Sequence, residues 1–264
     1  MERGESAETV WAWARRYVAS ASLAEKIALA PPPPTWGPAP APDLRLRPGR
    51  PPELVVIPRV ERPRSPRTVH GRAQLLHTFW HHELQAAELM CWAILAFPDT
   101  PEAFRAGLVR ICLDEVRHMG MYAREIERLG FHVGAFPVRD WFWERVPACS
   151  TPVEFVSVMG MGFEAANLDH AARFEGIFRD AGDLAAAEVE ALVGREEIAH
   201  VRFALEWFKR WTGAQSFDEW QGALPEPLSP MLMRGKPLAR RARERAGLDG
   251  PFLEALEAWQ PRGF

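Results

Sequence analysis

Apolar residues recur at helical spacing over four long stretches of the chain, each near thirty residues. The first runs from about Val69 to Phe97 and is stopped by Pro98. The second is expected to start with Thr100 as N-cap and Pro101 at the first helical position, and to end at Gly130. The third opens on "TPVE", read as a capping box between Thr151 and Glu154 with Pro152 in the first turn, and runs to about Ala181. The fourth follows Asp183 and stops at Gly213. The second and third are joined by about twenty residues, "FHVGAFPVRDWFWERVPACS", whereas the other two connections are tight turns. Short, long, short is what two antiparallel hairpins joined by one crossover require. The pattern predicts an all-α four-helix bundle over residues 69–213.

The flanks carry a different pattern. Residues 5–29, "ESAETVWAWARRYVASASLAEKIAL", predict one amphipathic helix. Residues 31–66 hold thirteen of the 24 prolines, so an extended arm is expected there rather than a packed element. Trp36, Leu44, Leu46 and the run Leu54–Ile57 suggest a strap lying on the bundle. The N-terminal helix and arm form one unit, 1–68, and the C-terminal extension another, 214–264. That extension contains "MRGKPLARRARERAG", read as a solvated helix ahead of a phosphate-binding patch, and a short amphipathic piece, "FLEALEAW".

Composition narrows the setting. The formal charge of −3 gives no global pull toward nucleic acid or acidic membranes. Cys91, Cys112 and Cys149 show no CxxC spacing and read as free thiols in a reducing cytoplasm. "MERGESAETV" lacks the apolar core of a secretory signal, and no apolar run is long enough to span a bilayer.

Candidate chemistry lies in two similar strings, "CLDEVRH" and "GREEIAH". On a helix, residues three apart share a face, so Glu115 with His118, and Glu197 with His200, can each hold one metal ion. With 26 Glu and 8 His, chance gives roughly 0.8 such matches, so the motif pair draws its weight from its company. Glu83 lies 32 residues before Glu115, and Glu164 lies 33 before Glu197. Each hairpin therefore brings one Glu and one E-x-x-H to the same height, as a dinuclear carboxylate site requires. Four buried carboxylates without cations are prohibitively costly, and two divalent ions balance them. The competing reading places the four acids on solvated faces. Glu88 competes with Glu83 but breaks the matched offset, and His81 and His82 are assigned to a capping or core-edge role. Asp114 and Glu196, each just before a ligand Glu, are placed to accept the outer N–H of the histidine on the opposite helix; solvent exposure is the competing reading for Glu196.

The set Glu83, Glu115-x-x-His118, Glu164, Glu197-x-x-His200 resembles the ferritin-like di-iron carboxylate superfamily. "DEVRH" looks like the form seen in its oxygen-activating members. The fuller strings "HHELQAAELMCWAILAFPD", "FPVRDWFWERVP" and "GFEAANLDH" are similar to a bacterial ferritin-like family of unknown function. The superfamily resemblance implies a ferritin-like bundle and two iron ions (or iron and manganese), while the family resemblance supplies no reaction; the first expectation is an O₂-dependent oxidoreductase acting on a small-molecule substrate. An external electron donor is then expected, because no haem, flavin or nicotinamide fingerprint is present. The alternatives are a ferroxidase or peroxide-handling protein, and a metal-stapled interaction protein without catalysis. A tRNA substrate is a minority version suggested by the basic tail, and a homodimer is the expected assembly. The chain departs from a storage ferritin in its long arms and in the aromatic crossover around Trp141, Phe142 and Trp143, which could roof a pocket. It also lacks the cysteine-rich iron site of rubrerythrin-type peroxidases. Tyr122, four residues past His118, is a redox candidate by its resemblance to the radical tyrosine of reductase small subunits, against a plain core role. Asp169 and His170 are assigned to helix-surface polarity.

Overall fold

A computed structural model describes residues 8–60 and 64–261. Those residues form an all-α bundle, and the one β contact among them is a parallel bridge between Val56 and Val138. Helices α1 (Val10–Ala19) and α2 (Leu23–Ile27) precede the strap, and the bundle begins with α3 (Val69–Ala96) and α4 (Glu102–Arg128). After the crossover come α5 (Pro152–Phe155), a wide π-helical segment (Val156–Glu164) and α6 (Ala165–Asp180), one continuous rod that pairs with α7 (Leu184–Thr212). The tail adds α8 (Phe217–Gly222), α9 (Arg240–Ala246) and α10 (Gly250–Ala258). Among the described residues, no helix is long and apolar enough to cross a membrane.

Local chemistry explains the ends of these helices and three departures from expectation. The N-terminal region is two helices, not one; its residues 5–7 lie outside the described set. Ser20 closes α1, and the Ser22 hydroxyl accepts from the Glu25 N–H to open α2. Serine side chains compete for backbone donors and so favour such a break. The N-cap of α4 is Pro101 rather than Thr100, whose hydroxyl instead donates to the Phe97 carbonyl at 2.7 Å and closes the preceding helix. Thr151 does cap α5, but Glu154 returns to the Ser150 N–H at 2.6 Å, one residue earlier than a capping box places it.

The π-helical segment in the third bundle helix went unseen in the hydrophobic pattern, because all nine of its residues are buried and a wholly apolar stretch carries little phase information. Its glycines permit close packing. A Cβ on Gly160 would stand 2.1 Å from that of Ala204 on α7, and one on Gly162 would stand 2.5 Å from Met233 Sδ in the tail. The strap is tied to the bundle by backbone bonds, with Asp43 N donating to Leu95 O, and Ile57 N and Val138 N donating to Val138 O and Val55 O.

Two apolar clusters fill the interior. One joins Leu76, Trp80, Leu84, Tyr122, Phe178 and Val193; the other joins Trp13, Trp92, Phe104, Phe155, Val201 and Phe208. On α4, Glu115 and His118 fall between Cys112 of the second cluster and Met119 of the first.

Candidate metal centre

The four bundle helices bring Glu83, Glu115, His118, Glu164, Glu197 and His200 together, all buried. Donor atoms of Glu83, Glu115, His118 and Glu197 lie within 4.8 Å of one another, as do those of Glu115, Glu164, Glu197 and His200. Glu115 and Glu197 belong to both sets. Either set can hold a metal ion.

The histidine contacts are those of a group that could hold metal ions. His118 Nδ1 faces carboxylate oxygens of Glu115 at 3.3 Å, Glu83 at 3.4 Å and Glu197 at 3.8 Å. His200 Nδ1 lies 3.0 Å from both Glu115 and Glu197. One ring nitrogen carries one proton, so it cannot satisfy several carboxylates. The outer nitrogens have separate partners: His118 Nε2 reaches Glu196 at 2.8 Å, and His200 Nε2 reaches Asp114 at 3.4 Å. Each pairing crosses to the other hairpin. Arg117 then joins the two outer acids, at 3.0 Å from Asp114 and 2.9 Å from Glu196. Asn167 donates to Glu197 Oε1 at 3.2 Å.

Without a cation the cluster is electrostatically frustrated. Burial, and then repulsion from neighbouring carboxylates, pushes Glu83 and Glu164 well above the usual carboxylate range. Burial opposes a charged imidazole at His118, but Glu115 and Glu83 outweigh it and lift the pKa to about 11. His200 is raised in the same way by Glu197 and Glu115. Glu164 Oε1 is buried with no hydrogen-bond partner, and Glu115 Oε1 has none of acceptable geometry. Oxygen-rich ligands with two imidazoles suit iron or manganese, and the orphaned oxygens fit such a pair of ions.

The neighbouring candidates separate cleanly. Glu88, the competitor of Glu83, is also fully buried but points elsewhere, bound at 2.7 Å to each of Lys26, Arg50 and the Trp143 indole N–H. His81 pairs with Asp140 at 3.1 Å, and His82 stacks on Phe142. Burial lowers the His82 pKa to about 3, leaving it neutral. Asp169 is not surface polarity: it is 2 % exposed and binds Arg243 through two bonds, along with the backbone N–H groups of Gly235 and Ala239. Arg243 is likewise buried, so α9 is a docked helix rather than a freely solvated one. His170 does stand exposed, at a cavity rim. Tyr122 is buried, beside Glu190. Sequence reasoning missed Glu190, a buried acid pushed up to about 8 by burial. Its signal was available, since it precedes Glu197 by two helical turns in the apolar run "AAAEVEAL". Cys91 and Cys112 are free buried thiols with sulfurs 3.5 Å apart.

A cavity of about 460 Å³ opens onto one side of the cluster, where Glu83 and Glu164 form part of its wall. Trp141 and Phe142 of the crossover line it with Phe163, while Trp143 turns inward to Glu88. Gln85 on α3 fixes the crossover by accepting from Phe142 N at 3.0 Å. The opposite side of the cluster is closed by Asp114, Glu196 and Arg117.

Known proteins offer a family but no assigned chemistry. An uncharacterized protein of Haemophilus influenzae is 25% identical over 173 residues, 62% of this chain. The match spans 60% of that relative, less than two thirds of its length. No solved structure matches the chain. A family model described as "Protein of unknown function (DUF455)" matches residues 6–254, nearly the whole chain and every residue of the cluster, and the protein therefore belongs to that family.

Proposed function

We propose that the protein is a di-metal oxidoreductase, holding two iron ions or iron and manganese, that activates O₂ and oxidises or hydroxylates a small organic molecule. The observation that carries this reading is the overlap of two four-residue donor sets through Glu115 and Glu197. Two sites that share carboxylates make a dinuclear centre rather than two independent ones. Bound there, the reduced metals would supply the electrons and open coordination positions needed to reduce O₂.

The chain's own residues have definable tasks. Glu115 and Glu197 would serve both ions, with Glu83 and His118 completing one ligand set and Glu164 and His200 the other. With metal bound, Asp114 and Glu196 would hold the proton of each imidazole on Nε2, leaving Nδ1 free to face the cluster. Arg117 pins both acids in place, and Asn167 orients Glu197. The apolar cavity excludes water and admits an organic substrate next to Glu83 and Glu164. A ferroxidase needs no such chamber. Arg243 and Arg240 of the basic tail are engaged by Asp169 and Glu257, which favours a small molecule over tRNA. Electrons would come from a separate reductase.

The test is metal analysis of the wild-type chain beside a Glu115→Ala/Glu197→Ala variant, followed by anaerobic Fe(II) loading and O₂ uptake on mixing with air. About two ions per chain, lost in the variant, with rapid O₂ consumption by the wild type, is the expected result. Metal uptake without O₂ consumption would leave a structural staple, and no uptake would remove the proposal.

A further inference from the structure

The cavity beside the cluster has chemistry of its own, and it narrows the ligand. Its wall contains an ordered group of rings: His82 lies against Phe142 with centroids 5.1 Å apart and planes 24° apart, and Phe142 lies against Phe163 at 5.1 Å and 13°. Trp141 packs on Phe163 at 4.9 Å. Near-parallel rings offer a further planar ring offset-stacked or edge-to-face contact, which a branched aliphatic chain cannot reproduce.

Charge along the wall restricts the ligand further. Among the described residues, Arg139 is the single lysine or arginine lining the cavity, and Glu144 holds it through bonds of 2.9 Å and 2.5 Å. The guanidinium of the described wall is therefore already paired with a carboxylate. The acids on the wall are Glu83 and Glu164, which the proposed metal centre would consume as ligands. At the mouth, Met231 and Leu232 of the tail are 44 % and 40 % exposed. Large apolar side chains left in water beside a cavity mark a surface that an apolar partner covers.

We infer that this cavity binds an uncharged, planar aromatic molecule, the substrate class of the proposed oxidoreductase. The inference rests on the metal reading for the neutrality of Glu83 and Glu164, and on the ring geometry for the aromatic preference.

Three probes of one shape separate the possibilities: indole, indole-3-acetate and tryptamine are neutral, anionic and cationic near neutral pH. Each is titrated calorimetrically into the metal-loaded full-length protein. Indole is expected to bind at least tenfold more tightly than either charged analogue. Phe142→Ala, on the half-buried crossover, should weaken indole about tenfold by removing the central ring, and Ala166→Leu should weaken it similarly by filling space. Thermal melts of both variants verify that they fold, and two variants guard against the loss of either one. Preference for indole-3-acetate, no saturable binding of indole, or binding unchanged in both folded variants would each overturn the inference. Two metals per chain without indole binding would sink this inference alone. Negligible metal even after loading, with the fold intact, would sink the metal reading as well.

Discussion

Glu88 and the four-glutamate cluster are both buried carboxylate sites on the same bundle, yet the fold treats them oppositely. At Glu88 the protein supplies its own cations: Lys26 from α2 and Arg50 from the strap, each at 2.7 Å. Asp169 follows the same rule with Arg243. Among the described residues no lysine or arginine pairs with Glu83, Glu115, Glu164 or Glu197, and the inward-facing partners are two imidazole nitrogens. Arg117 stops at the outer acids. Glu190 shows a third solution, since a lone buried acid keeps its proton up to about pH 8. Four acids that converge with only two imidazoles facing them, where Glu88 and Asp169 each meet a lysine or arginine, form a group that could hold metal ions.

That contrast can be broken in several places. The largest effect is expected from Glu115→Ala/Glu197→Ala, which should lower metal content from about two ions per chain to near zero while helical circular dichroism persists. Glu88→Ala should leave metal content unchanged but destabilise the fold by about 3–5 kcal/mol in denaturant unfolding, because Lys26 and Arg50 lose a buried counter-charge. If Glu88→Ala instead released metal at unchanged stability, the division between the two sites would be wrong. Asp114→Asn with Glu196→Gln should weaken metal binding by roughly 10–100-fold in a competition titration, through loss of the imidazole-orienting acids.

Glu190→Gln carries a pH signature. The folded-state pKa of about 8 lies above the ordinary 4.5, so the unfolded chain releases this proton first and wild-type stability falls as pH rises through that window. The variant should match wild type near pH 4 and exceed it, by on the order of 5 kcal/mol, above pH 8. A constant difference at all pH values would mean that Glu190 does not titrate there. The smallest change is expected from Tyr122→Phe, which removes a buried hydroxyl beside Glu190. Stability should fall by about 1 kcal/mol, with metal content intact. A lost spectroscopic signal on oxygenation would instead mark Tyr122 as a redox participant.

Much of this was legible in the chain. Caps and stops such as Thr68, Asp183 and Gly213 act within a few residues, so the ends of the long helices could be read from local chemistry. The six cluster residues were legible for the same reason, since helical spacing and equal hairpin offsets put them on one face at one height. The distinction between Glu83 and Glu88 followed from the matched hairpin offset. Glu88's partners were not readable, because Lys26 and Arg50 arrive from 62 and 38 residues away along a route with no period to follow.

Sequence by itself determined the four long helices, their hairpin order and the set of acids and histidines at mid-height, because those depend on periodicity and on contacts within a turn. Tertiary structure decided the rest. It wound Val156–Glu164 as a π-helix against Ala204 and Met233, docked the basic tail through Arg243 on Asp169, and placed the crossover rings over the cavity. Each of these is a choice among packings that local preference leaves nearly equal, and each is settled by which distant surface the chain finds to bury.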